Sequence, residues 1–135
     1  MSTNQLQKAV VELLSSDPAI LAITGTGRIF DRRITRAEPP YLVFGEAVAR
    51  DFSTGDDDDG AGTEHRFEIE AWTKQNGRKH AVELADAVRA VLHDADLALE
   101  GAALINLRHE RTLSRRAPRS GLHLARLRFR AVTEP

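Results

Sequence analysis

The sequence predicts a two-layer α+β domain, with two main helices packed on one face of a four- to five-stranded, mainly antiparallel sheet. Three observations carry that expectation. Phe67, Ile69 and Ala71 alternate with Glu68, Glu70 and Trp72, the period-two signature of a strand with one buried and one exposed face; this reading puts Trp72 on the polar side. After the Asn76-Gly77 break, Ala81, Leu84, Ala85, Val88, Val91, Leu92 and Ala95 recur at the spacing of one helical face, leaving Arg78, Lys79, Glu83, Asp86 and Arg89 to water. Residues 104–113 and 122–132 then alternate again, with Ile105 and Leu107 facing inward on the first stretch. On the second, Ala125, Leu127, Phe129 and Ala131 face one way and Arg126, Arg128 and Arg130 the other.

In chain order, residues 4–15 read as an amphipathic helix with Leu6, Val10, Leu13 and Leu14 on one side and Asn4 as N-cap. Asp17-Pro18 suits an N-cap and first helical position, which predicts a short second helix over residues 18–23 ended by Gly25 and Gly27. Arg28-Ile29-Phe30 is a short strand candidate, and the run to Glu38-Pro39-Pro40 is a connector that proline keeps out of regular pairing. From Tyr41 to about Arg50 the chain reads as a strand with large residues on both faces, Tyr41 and Val43 against Leu42 and Phe44. That pattern implies burial on both sides or a subunit contact. Residues 51–62, DFSTGDDDDGAG, join this strand to the next as a long hairpin whose tip repels itself. Residues 97–101 read as a turn and 114–121 as a basic loop. The expected shared core holds Leu13, Phe67, Ile69, Leu84, Val88, Val91 and Phe129.

Composition bounds the rest. A chain of 135 residues with 41% hydrophobic content fits one domain that buries about two-thirds of its unfolded surface. No apolar run reaches the ~18 residues that span a bilayer, and the start lacks the pattern of a secretion signal, so the expected compartment is the cytoplasm. Without cysteine there are no disulfides, thiolate metal sites or Cys nucleophiles. Net charge is -1, but its distribution is lopsided. Residues 38–70 hold ten acids against Arg50 and Arg66, a balance of -8, and residues 106–135 hold eight arginines against Glu110 and Glu134, a balance of +6. Copies of such a chain are suited to head-to-tail association, with Asp51, Asp56, Asp57, Asp58 and Asp59 on one side of the contact and Arg115, Arg116 and Arg119 on the other.

No motif points to catalysis or a cofactor. Aligning Gly60 with the obligatory glycine of an EF-hand loop puts Gly55 at the first ligand position and Arg66 where the bidentate Glu belongs. Gly55 to Gly60 has P-loop spacing, yet Ala61-Gly62 replaces the Lys-Ser/Thr pair. Glu68 and Glu70 share a strand face as in metal-dependent nucleases, but Lys74 lies four residues beyond Glu70. The five histidines are scattered with no pair at the i, i+4 spacing of a helical zinc site. The arginines of the last two strands have no stacking aromatics on their face, and the equally strong acidic half opposes a polyanion, which weighs against nucleic-acid recognition. The chain therefore reads as a non-enzyme with no cofactor.

The order of features resembles the tail-completion, or tail-terminator, proteins of long-tailed phages and phage-derived gene transfer agents. The pieces that carry the resemblance are the leading helix, Gly25-Thr26-Gly27-Arg28-Ile29-Phe30-Asp31, Pro40-Tyr41-Leu42-Val43-Phe44-Gly45, and Asp51-Phe52-Ser53. They continue through Glu64-His65, Ile69-Glu70-Ala71-Trp72, Ala85-Asp86-Ala87-Val88-Arg89 and Leu127-Arg128-Phe129-Arg130. The resemblance implies a small sheet with helices on one face and six copies closing a ring at the head-proximal end of the tail tube. It further implies that the ring stops tube growth and joins the tail to the neck, leaving a channel through which DNA passes without sequence-specific binding. Its implied partners are copies of itself, the tail tube protein and a neck or stopper protein, with assembly in the cytoplasm and final residence in the particle. Another head-tail joining protein, neck or stopper, is the alternative of the same class, and a metal-dependent DNA-processing factor the alternative of a different class.

Overall fold

A computed structural model describes residues 3–31, 38–52, 62–74 and 77–135. Two helices open the chain, α1 (Thr3–Ser16) and α2 (Pro18–Thr24); strands β1 (Ile29–Phe30), β2 (Tyr41–Phe52) and β3 (Gly62–Thr73) follow. Helix α3 (Arg78–Leu92) leads to β4 (Ala98–Leu99), β5 (Ala102–Arg116) and β6 (His123–Glu134). The strands form one sheet in the order β1-β2-β3-β6-β5-β4. All neighbours pair antiparallel except β1 and β2, which run parallel.

The expected fold is corrected on two counts while its class, α+β, stands. Among the described residues there are three helices, the short α2 taking its place in the layer beside the two main ones, and the sheet has six strands of mixed direction rather than four or five mainly antiparallel ones. The additions are small. β1, the expected candidate at Ile29–Phe30, and β4, which was not expected, are two residues each, and each is held by the edge of a longer strand: Ile29 pairs with Leu42, and Leu99 with Ala102. The expected turn over residues 97–101 thus contains a strand.

Helix starts follow local chemistry where a side chain can supply it. Asp17 caps α2, its Oδ2 accepting from the Ile20 N–H at 3.1 Å with Pro18 in the first turn. Asn4 is not a cap, since α1 already includes Thr3. At the strand-to-helix break, the Gly77 N–H donates to the Lys74 carbonyl and Thr73 Oγ1 to the Gly77 carbonyl, both at 2.9 Å. A Cβ at Gly77 would stand 2.6 Å from that Lys74 oxygen, so only glycine lets the chain turn this closely.

The helices cover one face. Leu6, Val10 and Leu14 of α1, Ile20 of α2 and Ala81, Leu84, Ala85, Val88 and Leu92 of α3 bury against Phe67, Ile69 and Ala71 of β3 and Ala125, Leu127, Phe129 and Ala131 of β6. Leu13 and Val91 of the expected core are only partly buried at its margin. A row of rings crosses four strands beneath them: Phe44 to Phe67 at 5.2 Å, Phe67 to Phe129 at 5.5 Å, and Phe129 to His109 at 5.5 Å. These are the stacked and edge-on arrangements that rings favour.

Two side chains depart from expectation, Trp72 in its burial and Ile105 in its direction. Trp72 is only 6% exposed, because the opposite face of the sheet carries its own cluster of Tyr41, Val43, Trp72, Ala117 and Leu124 at one end. This accounts for the large residues on both faces of β2. Ile105 is 51% exposed. Consecutive residues Thr133 and Val132 of β6 pair with Leu104 and Asn106, so Ile105 is an extra, bulged residue that shifts the strand's alternation by one.

Leu84 lies against the sheet with no exposed surface. Leu84→Ala is expected to cost about 2 to 4 kcal/mol in urea denaturation of the monomer, whereas Val48→Ala, at a position 57% exposed, changes stability by less than about 0.5 kcal/mol. Equal, small losses at both sites contradict the described core.

Candidate functional site

The face of the sheet away from the helices is where charge collects. Alternation puts Glu64, Arg66, Glu68 and Glu70 of β3 on it, and the register sets Glu68 directly opposite Arg128, Glu70 opposite Arg126 and Arg66 opposite Arg130. The first two pairs attract. Arg128 Nη2 lies 3.5 Å from Glu68 Oε1, and Arg126 Nε 3.4 Å from Glu70 Oε2. The third would repel, and neighbouring carboxylates resolve it: Arg130 reaches diagonally to Glu64 at 2.8 Å, while Arg66 pairs with Glu64 and, at 3.2 Å, with Glu110 of β5. Hydrogen bonding from Arg130, helped by the positive charge of Arg66 and Arg50, holds the Glu64 carboxyl below the usual carboxylate range. Trp72 Nε1–H donates to Glu70 Oε1 at 3.1 Å, which ties the apolar cluster to this ladder.

This ladder changes the meaning of the charge split. Much of the -8 and +6 imbalance cancels inside one subunit, because Glu64, Glu68 and Glu70 come from the acidic segment and Arg126, Arg128 and Arg130 from the basic one. Part of what stays uncompensated sits at the strand ends. Asp51 is near the end of β2, where its Oδ1 accepts from Thr63 Oγ1 at 2.9 Å. Asp56, Asp57, Asp58 and Asp59 lie outside the described residues, but the strands that flank them, Phe52 paired with Gly62, end here too. A cleft of about 450 Å³ at this end brings Glu100 and Glu134 into the same surroundings as Asp51.

Arg115, Arg116 and Arg119 are at the other end. The register aligns Tyr41 with Trp72, Trp72 with Leu124, and Leu124 with Arg115, ten residue steps along β3 from Gly62 and hence about 33 Å away. Arg119 is carried on the turn between β5 and β6, where the Ala117 N–H donates to the Leu122 carbonyl at 2.7 Å and the Gly121 N–H to the Ala117 carbonyl at 3.0 Å, with Gly121 at φ +72°. All three arginines are exposed and, among the described residues, none is ion-paired. Of the residues proposed from sequence, the described ones, Asp51 on one side and Arg115, Arg116 and Arg119 on the other, therefore do not meet in one site within a subunit. Sequence reasoning missed Trp72 and Arg126 beside the arginine turn, although the doubly apolar start of β2 was a signal that something apolar faced Tyr41. Among the described residues no group of three or more His, Asp or Glu could hold a metal ion, and no helix is long and apolar enough to cross a membrane.

The buried His65 closes the acidic end, its Nε2 hydrogen-bonded to Thr133 Oγ1 at 3.0 Å. Burial pushes its ring below the ordinary histidine value, against the attraction of Asp51. Burial likewise lowers His109, aided by Arg89 and His93.

Comparison with known proteins yields two findings. The sequence model of the family described as "Tail completion protein gp17" matches residues 8–134. A solved structure described as "Virion of native gene transfer agent (GTA) particle" contains a chain that superposes with a TM-score of 0.85 at 30% identity, covering 99% of this chain and 98% of that one. No curated protein matches.

Two measurements check this electrostatic description. Glu64→Gln leaves Arg66 and Arg130 opposed without their shared carboxylate, and is expected to destabilise the monomer by about 1 kcal/mol, less at high salt. A loss that grows with salt contradicts the ladder. The two histidines set the pH response: their folded values lie below the unfolded value of about 6.5, so the unfolded chain takes up protons first. Stability is therefore full above that value and declines as pH falls from there toward the folded values, and His65→Gln flattens the decline. A denaturation midpoint that rises on acidification from about pH 7 to 5 is the contrary result.

Proposed function

Because the chain belongs to the tail completion protein gp17 family, and so is a structural component of phage-like particles, we propose that it acts as a ring of six copies at the head-proximal end of the tail tube. The ring stops tube growth, joins the tail to the neck or stopper protein and leaves a central channel for DNA. The observation that supports this reading is the placement of uncompensated charge: acid at one end of a rigid sheet, Asp51 with Glu100 and Glu134, and Arg115, Arg116 and Arg119 at the other. Opposite charge on opposite ends favours heterologous contact between identical subunits, and such contacts close into rings when the rotation permits. The tail tube protein and the neck or stopper protein are the further partners of this reading, with assembly in the cytoplasm and residence in the particle.

The metal-dependent DNA-processing alternative draws nothing from the carboxylates that suggested it. Glu68 and Glu70 are engaged by Arg128 and Arg126.

Reversing Arg115, Arg116 and Arg119 to glutamate is expected to weaken ring formation and leave the monomer's unfolding free energy within about 0.5 kcal/mol, since exposed charges contribute little to folding. Raised salt weakens association in the same direction, as rim charges are screened within about 8 Å at physiological ionic strength. The preparation that decides is assembled tails or particles. Tails of normal length that join heads with all three arginines reversed contradict the electrostatic contact.

A further inference from the structure

The end of the sheet that carries the arginine turn also holds a cavity of about 330 Å³, lined by Trp72, Leu124, Ala117 and Pro118 together with Arg115, Arg119 and Arg126. The floor is apolar and buried, Trp72, Ala117 and Leu124 belonging to the cluster on the uncovered face. Of the three guanidinium groups, Arg126 is held by Glu68 and Glu70, at 3.9 and 3.4 Å, while Arg115 and Arg119 are exposed and without an ion pair among the described residues. A hollow with a fixed cation at its base, two uncommitted cations at its rim and an aromatic wall is built for a carboxylate-bearing segment, the planar guanidinium fork matching the carboxylate.

We propose that this pocket receives the Asp56–Asp59 run of a second copy of the chain. The occupant follows from charge and from reach. Those four consecutive aspartates are the strongest acidic run in the sequence. Nine residues, 53–61, span from Phe52 to Gly62, which are paired with each other. A segment tethered at both ends extends at most about half its contour, roughly 15 Å, whereas its own pocket lies about 33 Å along β3. The run cannot reach the pocket of its own subunit, so the contact is made between copies. This proposal rests on the head-to-tail reading above and gives it a receptor.

The single tryptophan of the chain lines the pocket, so its fluorescence reports on occupancy directly. A synthetic peptide of residues 51–63, which contains no tryptophan, is titrated into the intact protein at low salt. A saturable change in Trp72 emission is expected. The apparent Kd should rise at least about tenfold for a peptide with all four aspartates changed to asparagine, and by a similar factor for the Arg115→Glu/Arg119→Glu protein. Both substituted arginines are exposed, so the variant's unfolding curve should match that of the parent and separate loss of the site from loss of the fold. Equal binding of the asparagine peptide, or no saturable change, overturns the proposal. So does a single-stranded oligonucleotide that binds more tightly than the peptide at the same salt, which assigns the pocket to a polyanion. The ring is tested apart from the pocket. If the peptide binds as expected while tails of Arg115→Glu/Arg119→Glu protein still cap normally, the pocket stands and the head-to-tail reading fails. If capping is lost but the peptide does not bind, the ring reading stands and the occupant is wrong.

Discussion

The unbroken antiparallel pairing of β3 with β6 is the constraint on which the rest of this structure depends. From Thr63 opposite Thr133 to Thr73 opposite His123 the register runs without a slip, while the flanking β2–β3 and β5–β6 pairings each contain bulges. A period-two strand sends alternate residues to opposite faces, so one register has to satisfy two chemistries at once. On one face Phe67, Ile69 and Ala71 meet Ala125, Leu127 and Phe129 beneath α3; on the other Glu68 and Glu70 meet Arg128 and Arg126. A slip of one residue would bury the charges and expose the rings together, which is why the pairing is so strongly specified.

The same pairing explains how one face stays open without a covering layer. Burial of apolar surface is concentrated under the helices, and the open face is kept wet by carboxylates and guanidinium groups that neutralise one another. Each exposed ion pair is worth little alone. Their collective effect is to keep the open face polar while cancelling much of its net field, which leaves the charge at the two strand ends, together with exposed residues such as Glu46 and Arg111, available for contacts between molecules.

Edges present a second problem. Among the described residues β1 pairs only with Leu42 and Val43 on the outer side of β2, and β4 only with Ala102 and Ala103 on that of β5. Long unpaired edges invite indiscriminate strand addition. Here the edges are broken by bulges between Phe44 and Ala47, between Leu104 and Asn106, and between His109 and Arg111, and they carry Glu46, Arg50, Arg108 and Glu110. A subunit of an ordered particle has to associate in one way only, and interrupted, charged edges suppress the alternatives.

Much of the architecture was determined by the sequence alone, because its causes are local. The alternation through Phe67, Ile69 and Ala71, the helical face of Leu84, Ala85 and Val88, the Asp17-Pro18 cap and the Gly77 break each depend on residues within a turn or two of one another. The tertiary structure alone decided what depended on distant partners. β4, in a stretch that reads as a turn, exists only where β5 offers an edge, and β1 runs parallel to β2, a direction no local pattern sets; Trp72 turned from a solvent residue into a core one because Tyr41 and Leu124 arrive beside it from other strands. The bulge at Ile105 reset an alternation that looked regular in the sequence. Charge shows the difference most plainly: the acidic and basic segments were visible as sums along the chain, but which carboxylates are spent inside the subunit and which remain for a partner is settled by cross-strand register, a relation between residues about sixty positions apart.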